Sequence, residues 1–300
     1  MSISVILPVH NAGAFLRPCL DSLLGQTHCD FEIVAVDDGS TDGSADTLAE
    51  YAQRDPRLRV HRHDSNQGVS QAMRTGMRLA QRELHARMDS DDICEPDRLA
   101  QQLRWMQEHP RCTVLGSQMA FFGIQSGATQ LPLADAQIKA HFLMARANIC
   151  NPTTMWRADW MRQHGIEPPA FDHGEDLAMW VDAMLAGAEF RNLPKRLLRY
   201  RVHEGQASRN AEAINRCVQI SVEKVVQAWC PERSTDDVRA VASICHGMGA
   251  ELALARETVE RAVAVARELA AIPTPRFGED RQVVQRHLLV QAALWERALG

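Results

Sequence analysis

Three hundred residues with 45% hydrophobic content suffice for one large globular domain, or for a domain with an appendage. The formal charge of -5 argues against a nucleic-acid partner, which calls for a basic face, and no uncharged apolar run approaches the length of a membrane span. The eight cysteines are scattered, with no CxxC pair and no zinc-like His spacing, as expected of reduced thiols in the cytosol. Met1 leads within two residues into a strand-like run, so no signal peptide is expected. Lys139, Lys195 and Lys224 are the only lysines. A phosphate held by a side-chain cation would therefore be held by arginine, whose planar fork suits it.

The first half alternates strand and helix patterns. Ile3 to Val9 is a short apolar run, and helical spacing follows from Ala14 to Leu24. Phe31 to Val36 is a second run, ending in Asp37-Asp38-Gly39-Ser40. A helix is expected near Ala45 to Tyr51, with Thr41 or Asp42 as its N-cap. Leu58 to His61 reads as the third strand, Val69 to Leu79 as a helix, and Leu84 to Met88 as the fourth strand. This order predicts a mostly parallel sheet covered on both faces, with ligands beyond the carboxyl ends of its strands. Those ends carry Pro8-Val9-His10-Asn11, Asp37-Asp38 and Asp89-Ser90-Asp91-Asp92.

Pro96 to Glu108 is the next predicted helix, with Pro96 in its first turn. Thr113 to Phe122 and Asn148 to Trp156 read as strands, Ala128 to Pro132 as a turn or loop, and Glu175 to Leu185 as an amphipathic helix. Beyond Asn210 the chain turns helical. Val218, Val222, Val225, Val226 and Trp229 form one apolar stripe, and Val284, Leu288, Gln291, Trp295 and Leu299 nearly form another. Such stripes signal core packing.

The densest chemistry lies in Asp89, Asp91 and Asp92. Carboxylates crowded at a strand end repel one another unless a cation or solvent compensates. Hard oxygen ligands of this kind suit Mg²⁺ or Mn²⁺ shared with a substrate's phosphates, while the alternative is a solvated acidic loop. The turn from His10 to Ala14 lacks GxGxxG, and there is no Walker A motif, so no glycine cradle for phosphates is present.

Six segments then occur in a telling order: Ser4-Val5-Ile6-Leu7-Pro8-Val9-His10-Asn11, Val36-Asp37-Asp38-Gly39-Ser40-Thr41-Asp42, Asn66-Gln67-Gly68, Ala86-Arg87-Met88-Asp89-Ser90-Asp91-Asp92, Glu175-Asp176 followed by Trp180, and Tyr200-Arg201-Val202-His203. Over about residues 2–208 the chain resembles the family 2 glycosyltransferases of the GT-A fold. The resemblance implies an α/β GT-A fold, with a mostly parallel central sheet flanked by helices. The chain thus divides into a GT-A domain at 1–209, to which the resemblance is confined, and a C-terminal helical extension at 210–300, read from its apolar stripes. The resemblance further implies an inverting transfer from a nucleotide-sugar donor to a saccharide or lipid-linked acceptor, assisted by Mn²⁺ or Mg²⁺. The setting would be cytoplasmic, at most peripheral at the inner face of the cell membrane, in polysaccharide or glycoconjugate biosynthesis.

By that resemblance Pro8, Val9, His10 and Asn11 line the nucleotide pocket, with His10 where tyrosine is usual. Asp38 or its neighbour Asp37 accepts hydrogen bonds from the base. Asp91 is the first metal ligand, Asp89 is shared between metal and ribose, and Asp92 organises the loop. His203 is a further metal ligand, or a hydrogen-bonded structural residue, and Arg201 is a phosphate clamp. Asp176 is the general base and Glu175 holds the site or the acceptor; the alternative is that both acids only cap their helix. Asn151-Pro152-Thr153 departs from a usual His-Pro-Thr, and Met73-Arg74 from a more usual pair, neither at a position needed for chemistry. A donor-binding protein without catalysis is the main rival reading. A sugar nucleotidyltransferase is disfavoured, because His10 to Leu16 is not a Gly-rich basic loop.

Overall fold

The computed structural model describes residues 1–143, 148–170, 174–206, 211–245, 255–271 and 281–298. Its first half is a βα series: β1 (Ile3–Val9), α1 (Leu16–Leu24), β2 (Phe31–Asp37), α2 (Ser44–Arg54), β3 (Leu58–Arg62), α3 (Val69–Leu79) and β4 (Leu84–Arg87). The strands lie parallel in the order β3-β2-β1-β4. β1 and β2 are buried nearly throughout, which is why they read as continuous apolar runs. β3 buries only Leu58, and its arginines and histidine suit an edge that must not recruit another strand.

The second half adds β5 (Ile93–Cys94), α4 (Arg98–Glu108), β6 (Val114–Gly123), β7 (Gly127–Ala128), α5 (Asp135–Leu143), β8 (Met155–Arg157), α6 (Ala158–Gln163), α7 (Glu175–Leu185) and β9 (Phe190–Val202). The sheet continues from β4 through β8, β6, β9 and β5, with β7 pairing β6. β8 runs antiparallel to both β4 and β6, whereas β6 and β9 are parallel with a register shift near Gln118. The parallel sheet expected for the first half is present, and the second half makes the whole mixed.

Several boundaries differ from expectation. The α2 N-cap is Gly43, and Asp42 instead accepts the Ser44 N–H at 3.0 Å. Pro96 precedes α4 by a turn, because Ile93–Cys94 pairs with β9 first. Of the predicted strand 148–156 only its end is strand. Asn151–Thr153 forms a 3₁₀ turn, held by the Thr153 hydroxyl donating to Cys150 O at 2.7 Å.

The tail forms α8 (Ala211–Trp229), α9 (Thr235–Cys245), α10 (Arg256–Ala271) and α11 (Arg281–Ala298). Val222, Val225, Val226, Val241 and Leu288 share one core with Ile6, Val114 and Trp156 of the sheet and Trp180 of α7. The side chain of Trp229, and Leu299, lie outside the described residues. α8 is fastened to α7 by a Lys224–Asp182 ion pair and by the Cys217 thiol, which donates to Gly174 O at 2.8 Å. Among the described residues no helix is long and apolar enough to cross a membrane.

Candidate active site

A cleft of about 820 Å³ opens at the carboxyl ends of β1, β2 and β4. At its β1–β2 end the backbone is locked by short polar bonds. The His10 ring lies 2.8 Å from Asp38 O through Nδ1, so Nδ1 carries the proton and Nε2 accepts from the amides of Asn66 (2.9 Å) and Asn11 (3.1 Å). Asp38 takes the Gln67 and Gly68 N–H groups at 3.0 and 2.8 Å and meets His63 Nδ1 at 2.7 Å. Gly39 makes this packing possible: at φ 68°, a Cβ there would lie 2.6 Å from the Ser65 backbone. His10, Asp38, Asn66 and Gly68 thus form one rigid wall. Asp37 is fully buried and does not line the cleft. It accepts the Ser40 N–H at 3.0 Å and lies 3.2 Å from Arg62 Nε without hydrogen-bond alignment.

The acids after β4 divide their work. Asp91 and Asp89 line the cleft. His203 Nε2 lies 3.0 Å from Asp91 Oδ2, and Asp89 Oδ1 accepts from Arg87 Nε at 2.8 Å. Asp92 is buried behind them, where it accepts the Arg201 N–H at 2.8 Å. Burial, then the charges of Asp89 and Asp91, push its carboxyl up to about 9. Its contact with the Arg201 N–H ties the Asp91 loop to β9. Burial and Asp89 also raise Asp91. Arg201 is outside the cleft lining: its Nε donates to Asp91 O at 2.8 Å, and its guanidinium is packed against Phe15 and Phe122, 4.7 and 4.4 Å from the ring centroids.

Among the described residues no three metal-binding side chains converge. The donors present nevertheless fit a divalent cation. The carboxylates of Asp89 and Asp91 and the His203 ring all line the same cleft, and hard divalent ions commonly complete such a donor set with phosphates and water.

Glu175 and Asp176 open α7 after Gly174, whose φ of 76° turns the chain into the helix. Both line the cleft. Burial, then Asp176, raises Glu175 to about 7. Burial raises Asp176, while Arg87 and the N–H groups of Leu177 and of Asp176 itself oppose the rise. Two residues to which the sequence assigned no role also matter. Arg87 is buried and reaches Glu175 Oε1 at 3.3 Å as well as Asp89. Asn151 lines the cleft, buried, with a side-chain oxygen that has no partner among the described residues. The tail contributes Ile214 and Val218 of α8 to the lining.

The model of glycosyl transferase family 2 matches residues 4–161. TuaG of Bacillus subtilis, named as a glycosyltransferase of teichuronic acid biosynthesis, is 30% identical over 212 residues, 69% of this chain and 82% of TuaG. Across eight of the relatives matched, the shared stretch spans from 17% to 82% of the relative's length. Among solved structures, residues 1–349 of S. aureus TarS in complex with UDP-GlcNAc superpose with a TM-score of 0.68 at 19% identity, covering 99% of this chain and 92% of that one. A mannosyltransferase from Pyrobaculum calidifontis in complex with GDP-Man and Mn²⁺ gives 0.55 at 15% identity, covering 97% and 86%. At these identities the likeness speaks for the GT-A fold.

Proposed function

The chain belongs to glycosyl transferase family 2 and is a glycosyltransferase; from that premise we propose an inverting transfer from a nucleotide-sugar donor to an acceptor hydroxyl. The observation that carries the reading is the meeting of two acidic pairs, Asp89 with Asp91 and Glu175 with Asp176, in one cleft beside the His10–Asp38 wall. The nucleoside lies along Pro8, Val9, His10 and Asn11, and the remaining acceptor capacity of Asp38 faces the base. Asp91 and His203 would hold Mn²⁺ or Mg²⁺, whose charge would offset that of the leaving diphosphate. Asp89 uses the oxygen not taken by Arg87 for the ribose or the cation. With Arg201 wedged between two rings, its contribution to phosphate binding is to hold the Asp91 loop.

Asp176 takes the proton from the acceptor hydroxyl as its oxygen bonds to the anomeric carbon. The bond from that carbon to the diphosphate breaks on the opposite face, and its electron pair leaves with the nucleotide. A carboxylate suffices because the hydroxyl becomes acidic only as attack proceeds. Eight free cysteines support a reducing, cytoplasmic setting, at most peripheral to the membrane's inner face. The acceptor is a saccharide or a lipid-linked saccharide, a reading supported by the name of TuaG.

The test uses UDP-GlcNAc and GDP-Man with Mn²⁺, following release of nucleoside diphosphate to water or acceptor. Asp176→Asn should leave donor affinity nearly unchanged and lower turnover by about two to four orders of magnitude, the span of a positioned base. Wild-type turnover in that variant would move the base elsewhere, with Glu175 first in line. Donor binding without any turnover by the wild type would favour a binding protein.

A further inference from the structure

Arg87 is the only arginine or lysine lining the cleft among the described residues, and two of its donor atoms are already committed to carboxylates. Nε is taken by Asp89 at 2.8 Å and Nη1 by Glu175 at 3.3 Å, and the side chain is 7% exposed. Its base is equally fixed. The Arg87 N–H donates to Thr154 O at 3.0 Å, and the fully buried Arg98 donates to Arg87 O at 2.7 Å.

We propose that Arg87 is the positioning residue of the reaction. Its rigid fork ties Asp89 on the donor side to Glu175 on the acceptor side, so the spacing between leaving group and base is set before substrates arrive. By holding Glu175, the same fork fixes the start of α7, from which the neighbouring Asp176 projects into the cleft. This rests on the reading of Asp176 as base. Among the described residues, the groups that act on Asp176 include Glu175 on its own helix, Arg87 and Asp89 from the end of β4, Cys150 before β8, and Cys217 of α8, and Arg87 is the cation of this set. Lysine cannot replace the fork, since a single ammonium does not span two carboxylates in fixed geometry.

Arg87→Lys, Arg87→Met and Asp176→Asn should be compared with the wild type in Mn²⁺–UDP affinity by calorimetry and in hydrolysis of UDP-GlcNAc and GDP-Man against pH. Arg87→Lys should bind UDP within about threefold of the wild type and lose roughly 10- to 100-fold in kcat. Arg87→Met should lose more, and the acid limb of its kcat profile should move up by about one pH unit or more, since the carboxylates ionise less readily without the cation. Activity should then recover partly at alkaline pH, which misfolding would not produce. A turnover-free readout is melting temperature. Arg87→Met leaves Glu175 buried without its cation, so its deficit should shrink from pH 8 to pH 5, and adding Glu175→Gln should restore most of the loss at pH 8.

Wild-type kcat in Arg87→Lys would overturn the proposal. So would a more than tenfold loss of UDP affinity with kcat intact, which would make Arg87 a donor clamp, or an Arg87→Met melting deficit that neither pH nor Glu175→Gln relieves. Asp176→Asn separates the two readings. If it turns over normally, the base assignment fails. If it is inactive while Arg87→Met keeps the wild-type acid limb, the Arg87 inference alone falls.

Discussion

Gly174→Ala is the substitution whose cost can be worked most directly from the geometry. Gly174 has φ of 76°, and an added Cβ would lie 2.8 Å from both Cβ and Sγ of Cys217. The left-handed conformation costs a non-glycine residue about 1–2 kcal/mol, and overpacking a closed contact adds about 1–3 kcal/mol. Gly174→Ala should therefore destabilise by roughly 2–5 kcal/mol, read as a lower urea midpoint at unchanged m-value. Cys217→Ala alone removes one thiol hydrogen bond and should cost about 1 kcal/mol. In the double variant the Sγ clash is gone, so the two losses should sum to less than their separate values by about 1 kcal/mol. Because Gly174 precedes Glu175 and Asp176, Gly174→Ala should also slow donor turnover more than it weakens donor binding. A loss below about 0.5 kcal/mol, the level of an ordinary surface substitution, or strict additivity with Cys217→Ala, would refute the close packing of α8 on the start of α7.

Asp91→Ala and His203→Ala should each weaken Mn²⁺-supported UDP binding by on the order of tenfold or more, and calorimetry giving equal wild-type affinity with and without chelator would refute the metal reading. His85 is buried, has neither ring nitrogen hydrogen-bonded among the described residues, and is pushed down to about 4 by burial first and then by Arg162. The unfolded chain takes up a proton below its value of about 6.5 while the folded chain does not, so stability is lost as pH falls from there toward 4. The gap corresponds to at most about 3 kcal/mol. His85→Leu should remove that part of the acid sensitivity, and parallel melting-versus-pH curves for wild type and variant would refute it. A fragment of residues 1–209 loses the helices that share a core with Ile6, Val114 and Trp156, so it should aggregate; a soluble fragment with a cooperative melt would show the tail to be separable.

The parallel half was legible because both of its central strands are buried on two faces, which leaves uninterrupted apolar runs between helices of ordinary length. β9 was not legible. Phe190–Val202 places Pro194, Lys195, Arg196 and Arg199 within one strand, and proline and clustered charge argue locally against a strand. Its long parallel pairing with β6, with the register shifted past Gln118, overrides that preference. The segment 148–156 erred in the opposite direction. Thr153 and Thr154 suit strands by propensity, but their hydroxyls bond back to Cys150 O and Asn151 O at 2.7 Å and hold a turn.

Motif order singled out acids that the fold brings to one cleft, but not how their surroundings differ. Asp37 and Asp38 are neighbours with opposite environments: one is sealed beside Arg62, and the other binds the 63–68 turn and lines the cleft. Adjacent residues at a strand end point to opposite faces, so only one of the two presents its side chain to the cleft, and that one is Asp38. Arg201 shows the complementary case. An arginine in a substrate loop suggests a phosphate ligand, yet Phe15 and Phe122 come from distant parts of the chain to stack against it. Arg87 had its only signal in a position two residues before Asp89, where a strand alternation puts both side chains on one face. Its second partner, Glu175, lies 88 residues further on, and only the folding of α7 against the end of β4 makes Arg87 a cation shared by Asp89 and Glu175.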